Sequence, residues 1–266
     1  MASDGTILEE IVAHKRVELE ATRRAVPERQ LLALIGERAA FGDFKQAVGK
    51  PSVLGINLIA EVKRASPSKG VFREDFEPVA IAQAYEQAGA DAISVLTDAK
   101  YFGGSLEHLA GIRRGGVKVP LLRKDFTTSA YHVLEAAAYG ADAVLLIAAV
   151  LTREEIEAFS SAAKRLRLAS VVEVFNEEEL AIALESGGRI IQINNRDLRT
   201  FEVDLGVTRR LARKVPDGCV IISASGFDSP EAVRVARDAG AHAVLVGESL
   251  MREADIGAKL KSLRGG

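Results

Sequence analysis

The sequence predicts a (β/α)8 barrel of the TIM type preceded by an N-terminal helical extension, and three observations carry that expectation. First, Gly89-Ala-Asp-Ala-Ile-Ser-Val-Leu96, Gly140-Ala-Asp-Ala-Val-Leu-Leu-Ile147, Gly187-Gly-Arg-Ile-Ile-Gln-Ile193 and Gly240-Ala-His-Ala-Val-Leu-Val246 repeat one pattern, a glycine stop and then an apolar run. Glycine just past an amphipathic segment signals a helix C-terminus, and the short apolar run after it suits a strand buried on both faces. Second, Val119–Lys124, Ala169–Val174 and Cys219–Ser223 start 50 residues apart and interleave with the first set. Third, Ile56–Lys63 supplies one more such run. Eight strand–helix units then fill a span close to the ~250 residues usual for such barrels. An open doubly wound sheet is the competing architecture. Against it, Arg64-Ala-Ser-Pro-Ser-Lys-Gly70 follows the first strand where a dinucleotide-binding glycine fingerprint would stand.

In chain order, Thr6–Arg24 places Ile7, Leu8, Ile11, Val12 and Val17 at helical spacing among Glu, Lys and Arg, an amphipathic helix. Pro27 precedes a second short helix over Glu28–Gly36, and Phe41–Val48 reads as a third. Together they form the extension, residues 1–50 of a single 1–266 domain, whose apolar face is expected to cover the barrel mouth. Helical patterns then alternate with the strands over Val79–Gln87, Ala130–Tyr139, Glu154–Leu166, Glu177–Glu185, Thr208–Lys214 and Pro230–Ala239.

Composition narrows the function classes. The chain is 48% hydrophobic and 27% charged with a formal net charge of -2, and its Lys and Arg are dispersed, so neither a nucleic-acid surface nor a polybasic membrane patch is indicated. Small-molecule partners are expected. Cys219 is the only cysteine and sits in an apolar run, so no internal disulfide forms and a cytoplasmic setting is consistent. The longest apolar run, Ala143–Leu151, falls far short of the ~20 residues a membrane helix needs. A cytoplasmic monomer or weak homo-oligomer is the expectation.

Chemistry is read from the C-terminal strand ends, which in a barrel converge on one mouth. Ile59, Glu61 and Lys63 share a face of the first strand by alternation, so an acid and a base stand together; an ordinary strand-end ion pair is the alternative reading. The third strand delivers Lys124 and Asp125, the fifth Glu173, the sixth Asn194, Asn195 and Arg196, and the seventh Ser223 and Ser225. Alternation groups Leu122 with Lys124, Val171 with Glu173, Gln192 with Asn194 and Ser223 with Ser225. Two lysines and two glutamates on three alternate strands point to acid–base work on an anionic substrate. The turns Ala224-Ser-Gly-Phe227 and Gly247-Glu-Ser-Leu250 follow the two strands after which barrels often bind phosphate, and each exposes backbone N–H groups beside a serine. His14, His108, His132 and His242 all lie away from the strand ends, so neither a histidine base nor a zinc site is indicated, and no metal or other cofactor is expected. Ser66 and Ser225 lack a partner base for nucleophilic catalysis.

At this point Ile59-Ala-Glu-Val-Lys-Arg-Ala-Ser-Pro-Ser68, Leu121-Leu-Arg-Lys-Asp-Phe126, Val172-Glu-Val174, Ile193-Asn-Asn-Arg-Asp-Leu198 and Val246-Gly-Glu-Ser-Leu-Met251 resemble the indole-3-glycerol phosphate synthase family over nearly the whole chain. The resemblance implies a carboxy-lyase of tryptophan biosynthesis. It closes the ring of 1-(2-carboxyphenylamino)-1-deoxyribulose 5-phosphate to indole-3-glycerol phosphate, releasing carbon dioxide and water. By the same resemblance, Lys124 is the general acid on the substrate ketone, Lys63 contacts the substrate's anionic groups or delivers the dehydration proton, and Glu173 is the base that helps lose water. Glu61 orients the lysines, Asn194 meets the intermediate's hydroxyl, and Arg196 faces the anthranilate carboxylate. Ser66, Ser225, Gly226, Gly247 and the backbone N–H of Glu248 match the phosphate cradle, while Phe126 and Leu198 line the ring pocket. Two positions depart from the family pattern. Ala224 stands where the family usually has glutamate, and Gln192 where it usually has glycine; pointing inward, Gln192 is expected to plug part of the floor or shift Asn194. The rival functions are another sugar-phosphate isomerase or a Schiff-base lyase using Lys63 or Lys124, and a phosphate-ligand-binding barrel with impaired catalysis.

Overall fold

Eight parallel strands close into one barrel in the computed structural model, which describes residues 6–38, 40–52 and 55–264. The barrel strands are β1 (Asn57–Val62), β2 (Ala92–Leu96), β3 (Leu121–Lys124), β4 (Ala143–Ile147), β5 (Ala169–Val174), β6 (Ile190–Asn194), β7 (Val220–Ala224) and β8 (Ala243–Val246). Each pairs with its sequence neighbours, and β1 closes the ring against both β2 and β8. The repeated glycines act as helix stops: Gly89, Gly140, Gly187 and Gly240 all sit at positive φ just before a strand, a conformation that would strain most L-residues.

Strand burial is nearly complete because the two faces serve two cores. Ile59, Leu122, Val171 and Ile222 fill the barrel interior, while Leu58, Val95, Val172 and Ile193 pack outward against the helices. The outer layer comprises α4 (Pro78–Gln87), α5 (Ala99–Phe102), α6 (Leu106–Arg114), α7 (Ala130–Ala138), α8 (Arg153–Arg165), α9 (Glu177–Glu185), α10 (Gly206–Ala212), α11 (Pro230–Asp238), α12 (Glu248–Met251) and α13 (Ile256–Leu263). The two helices after β2, α5 and α6, and the two after β8, α12 and α13, add to those read from periodicity. Ala65–Ser66 and Gly70–Val71 form a two-residue antiparallel ladder inside the segment expected to be loop. No helix of the described residues is long and apolar enough to cross a membrane.

The extension does two jobs at opposite ends of the barrel. Its first helix, α1 (Ile7–Ala25), opens with a capping box between Thr6 and Glu9 and lays Leu8 and Val12 on the interior core from the C-terminal side. Lys15 secures it, pairing with Asp98 at 3.3 Å and Asp125 at 3.2 Å, the residues that follow β2 and β3. The next helix, α2 (Glu28–Gly36), packs beside α7, and the Tyr131 hydroxyl donates to Val26 O at 2.6 Å. The last, α3 (Phe44–Gly49), buries Phe44 and Val48 among the interior residues at the opposite end. The Asn57 amide, at the start of β1, donates to Val48 O and Lys50 O, both at 2.9 Å. The expectation that the extension covers the mouth therefore holds for α1, whereas α3 is a plug in the floor. Asp142, at the same end, accepts from Gly42 N at 2.7 Å and Leu121 N at 2.9 Å and pairs with Arg38 and Arg113.

Candidate active site

The C-terminal ends of β1, β3, β5, β6 and β7 rim a pocket roofed by Ile7, Leu8 and Ile11 of α1. Inside it stand two lysine–carboxylate pairs. Lys63 Nζ lies 2.9 Å from Glu61 Oε1, and Lys124 Nζ lies 4.0 Å from Glu173 Oε2. Glu61 is 4% exposed and also accepts from Ser94 Oγ at 3.3 Å. Burial pushes its carboxyl up, but Lys63, Lys124 and the two hydrogen bonds outweigh burial and hold it below the ordinary value. For Lys124, burial pulls the ammonium down, and the Glu173 and Glu61 carboxylates raise it above the usual lysine value, so it is charged at neutral pH.

Gly247 lets the pair sit close to the backbone: a Cβ there would lie 2.6 Å from Glu61 Oε1 and 3.2 Å from Lys63 Nζ and would displace the ion pair. Lys63, Lys69, Arg196 and Arg252, with Glu61, Asp228 and Glu248 among them, line a depression beside the pocket, on the side of the two glycine turns at Ser225, Gly226 and Gly247. Gly226 has φ 92, and a Cβ on it would meet Val203 Cγ1 at 2.5 Å. Ser225 itself adopts φ 72, and its hydroxyl donates to Asn194 Oδ1 at 2.9 Å. Asn194 Oδ1 also accepts from Arg196 N at 3.0 Å. Arg196 donates to Phe201 O at 3.0 Å and reaches Glu248 at 3.6 Å, tying the segment after β6 to α12. Phe126, Leu198 and Ser66 line the apolar-walled pocket, and Ser66 stands outside the depression at the two glycine turns.

Other expected mouth residues are placed differently. Ala224 is the inward residue at the end of β7, in phase with Val220 and Ile222, so Ser223 points outward. Ser223 Oγ accepts from Asn195 Nδ2 at 3.0 Å, and Asn195 also holds Ala224 O and Ser225 O while its own oxygen accepts from Thr208. This knot fixes the ends of β6 and β7 without facing substrate space. Asp125 borders the pocket, yet its carboxylate is engaged by Thr97, Arg123 and Lys15. Gln192 does point inward, but its amide donates to Glu173 Oε2 and leaves Asn194 alone. Sequence reasoning did not place Phe102, which stacks obliquely on Phe126 at 6.0 Å, or Leu96 in the pocket, whereas Ile7, Leu8 and Ile11 belong to the apolar face expected to cover the mouth.

The family model for indole-3-glycerol phosphate synthase matches residues 8–263. The chain belongs to the indole-3-glycerol phosphate synthase family. It is 47% identical to the indole-3-glycerol phosphate synthase of Roseiflexus sp. (strain RS-1), over 98% of this chain and 99% of that one. It is 44% identical to the synthase of Alkaliphilus metalliredigens (strain QYMF), over 98% of each. Among solved structures, a 3-hexulose-6-phosphate synthase superposes with a TM-score of 0.64 at 17% identity, covering 79% of this chain and 99% of its own. The tryptophan synthase α subunit of Legionella pneumophila str. Paris superposes with a TM-score of 0.60 at 16% identity, covering 85% and 98%. Those two likenesses show a shared barrel fold. Ala224 and Gln192 occupy the same inner wall, where Ala224 offers no carboxylate and Gln192 sets an amide beside Glu173.

Proposed function

We propose that this chain is an indole-3-glycerol phosphate synthase acting by lysine and glutamate acid–base catalysis. The carrying observation is the pair of ion pairs, Lys63–Glu61 and Lys124–Glu173, in one pocket with apolar walls. The carbon bearing the anthranilate carboxylate attacks the ribulose ketone, and Lys124 Nζ gives a proton to the ketone oxygen as the carbon–carbon bond forms. The bond to the carboxylate then breaks and its electron pair restores the aromatic ring, releasing carbon dioxide. The new hydroxyl leaves as water with a proton from Lys63, while Glu173 removes the proton from the methylene carbon next to nitrogen and the indole double bond forms.

Binding is assigned to the remaining groups. Lys63 and the turns at Ser225, Gly226, Gly247 and Glu248 take the phosphate, with Ser66 beside them; Arg196 takes the aromatic carboxylate; Phe126 and Leu198 flank the ring. Glu61 holds Lys63 in place and Asn194 meets the departing hydroxyl. A substrate of this kind calls for no metal or other cofactor, and we read the protein as a cytoplasmic monomer or weak homo-oligomer. The test is a single-turnover assay with the carboxyphenylamino substrate, followed by indole fluorescence. Stoichiometric product supports the reading; tight binding with no fluorescence refutes it. Borohydride in the presence of a ketose phosphate should trap no lysine adduct, since a proton donor forms no Schiff base.

A further inference from the structure

We propose that Gln192 is a positioning residue for Glu173, holding one oxygen of that carboxylate so that the other is turned to substrate; this rests on the assignment of Glu173 as the base. The side chain lies in the barrel interior at 0% exposure, directly across the β5–β6 register from Glu173. Its Nε2 donates to Glu173 Oε2, the same oxygen that lies 4.0 Å from Lys124 Nζ. Both donors therefore gather on one carboxylate oxygen. Only one orientation of the amide suits an ionised carboxylate, which has no proton to give, so the amide must present its N–H.

The other end of the amide argues against a packing role. Gln192 Oε1 is buried without a hydrogen-bond partner among the described residues. An unpaired buried acceptor weakens a fold, and an apolar side chain of the same length would serve the interior better. The position keeps a feature that stability alone disfavours, next to the group that takes a proton during dehydration. An amide is suited to that neighbour because it orients a carboxylate without neutralising it and does not itself titrate. Once Glu173 has taken its proton, a half-turn of the amide brings the unpaired Oε1 round to accept from the new hydroxyl. One side chain thus serves both protonation states of the base, which a lysine or a leucine does not.

The experiment compares Q192M, E173Q and the double variant Q192M/E173Q by steady-state kinetics and rapid quench. Hydrogen bonds to charged groups are among the stronger ones, so Q192M should lower kcat roughly 10-fold or more with KM within about twofold. It should also accumulate the ring-closed, decarboxylated species that retains its hydroxyl. Added to E173Q, the same substitution should change nothing further, because its effect runs through the missing carboxylate. An equal loss in both backgrounds, a fall in kcat without the intermediate, or a kcat within about twofold of the parent overturns the proposal. Should Q192M fail to fold, Q192A removes the donor without adding bulk, and the same three readouts apply. Parent-like turnover by E173Q refutes the base assignment itself and is a separate result.

Discussion

Replacing Lys124 by methionine keeps most of the side chain's volume and removes its proton and charge. The ring-closing step builds negative charge on the ketone oxygen, and a positioned acid contributes about 10²–10⁴-fold to such a step, equivalent to roughly 3–5.5 kcal/mol. The fold should survive the change. Breaking a buried ion pair costs about 3–5 kcal/mol when the remaining charge is stranded, but here neither carboxylate is: Glu173 retains the Gln192 amide, and Glu61 retains Lys63 and Ser94. The stability loss should fall below that range, within what a domain of about 5–15 kcal/mol tolerates. Fluorescence assays at saturating substrate should show kcat reduced at least about 100-fold while KM changes within about threefold, because the phosphate turns and Arg196 are untouched. Circular dichroism checks that the barrel is intact. A folded K124M with turnover within about threefold of the parent refutes Lys124 as the acid and moves the role to Lys63.

Lys15→Met removes the cation of Asp98, while Asp125 keeps Arg123, so it should destabilise by less than the about 3–5 kcal/mol of a fully stranded pair and raise KM by loosening the roof, read by thermal melts and kinetics. Burial pushes the Asp125 carboxyl up, but Arg123 and Lys15 hold it well below the carboxylate range; its stabilisation is present above the unfolded value near ~3.9 and is lost as pH falls through the depressed folded value, so the melting temperature should drop steeply below about pH 4 and D125N should flatten that slope. Removing residues through 26 should leave a folded barrel with a higher KM, whereas removing residues through 48 takes out Phe44 and Val48 and should abolish the cooperative unfolding transition. Gly104→Ala places a Cβ 2.4 Å from Leu96 O, so a loss of about 1–3 kcal/mol in urea melts is expected. Inorganic phosphate should compete with substrate at tens of millimolar, and purely noncompetitive behaviour would move the phosphate away from Ser225 and Gly247.

Strand positions were legible because a strand buried on both faces is written as an unbroken apolar run, and the glycine stops set its start within a residue or two. The mouth-facing set was legible wherever a charged residue stood within such a run, as Glu61, Lys124 and Glu173 do. The phase of β7 was not legible, since Ser223, Ala224 and Ser225 are all small and any of them fits an inner wall; the observed inward set Val220, Ile222 and Ala224 follows from register with β6 and β8. Contacts between distant segments were also hidden. Lys15 stands three and four residues after Val12 and Ile11 on the apolar side of α1, which marks it as a buried cation, but its acidic partners lie roughly 80 and 110 residues further on. The contact of Gln192 with Glu173 rather than Asn194 likewise depends on strand pairing that no local pattern encodes.

The floor plug sets a timetable for making this protein. Phe44 and Val48 leave the ribosome early, yet the cavity they fill is walled by β7 as well as by β1 and β2, and Asn57 beside them donates to His242 O. Roughly 200 residues must follow before that wall exists, which at the usual synthesis rates of about 5–20 residues per second is on the order of 10–40 s. For that interval the two side chains have no permanent home, and the nascent chain carries a sticky N-terminal segment that late-arriving strands must recover. Barrel closure and plug insertion are then one event, at the end of translation.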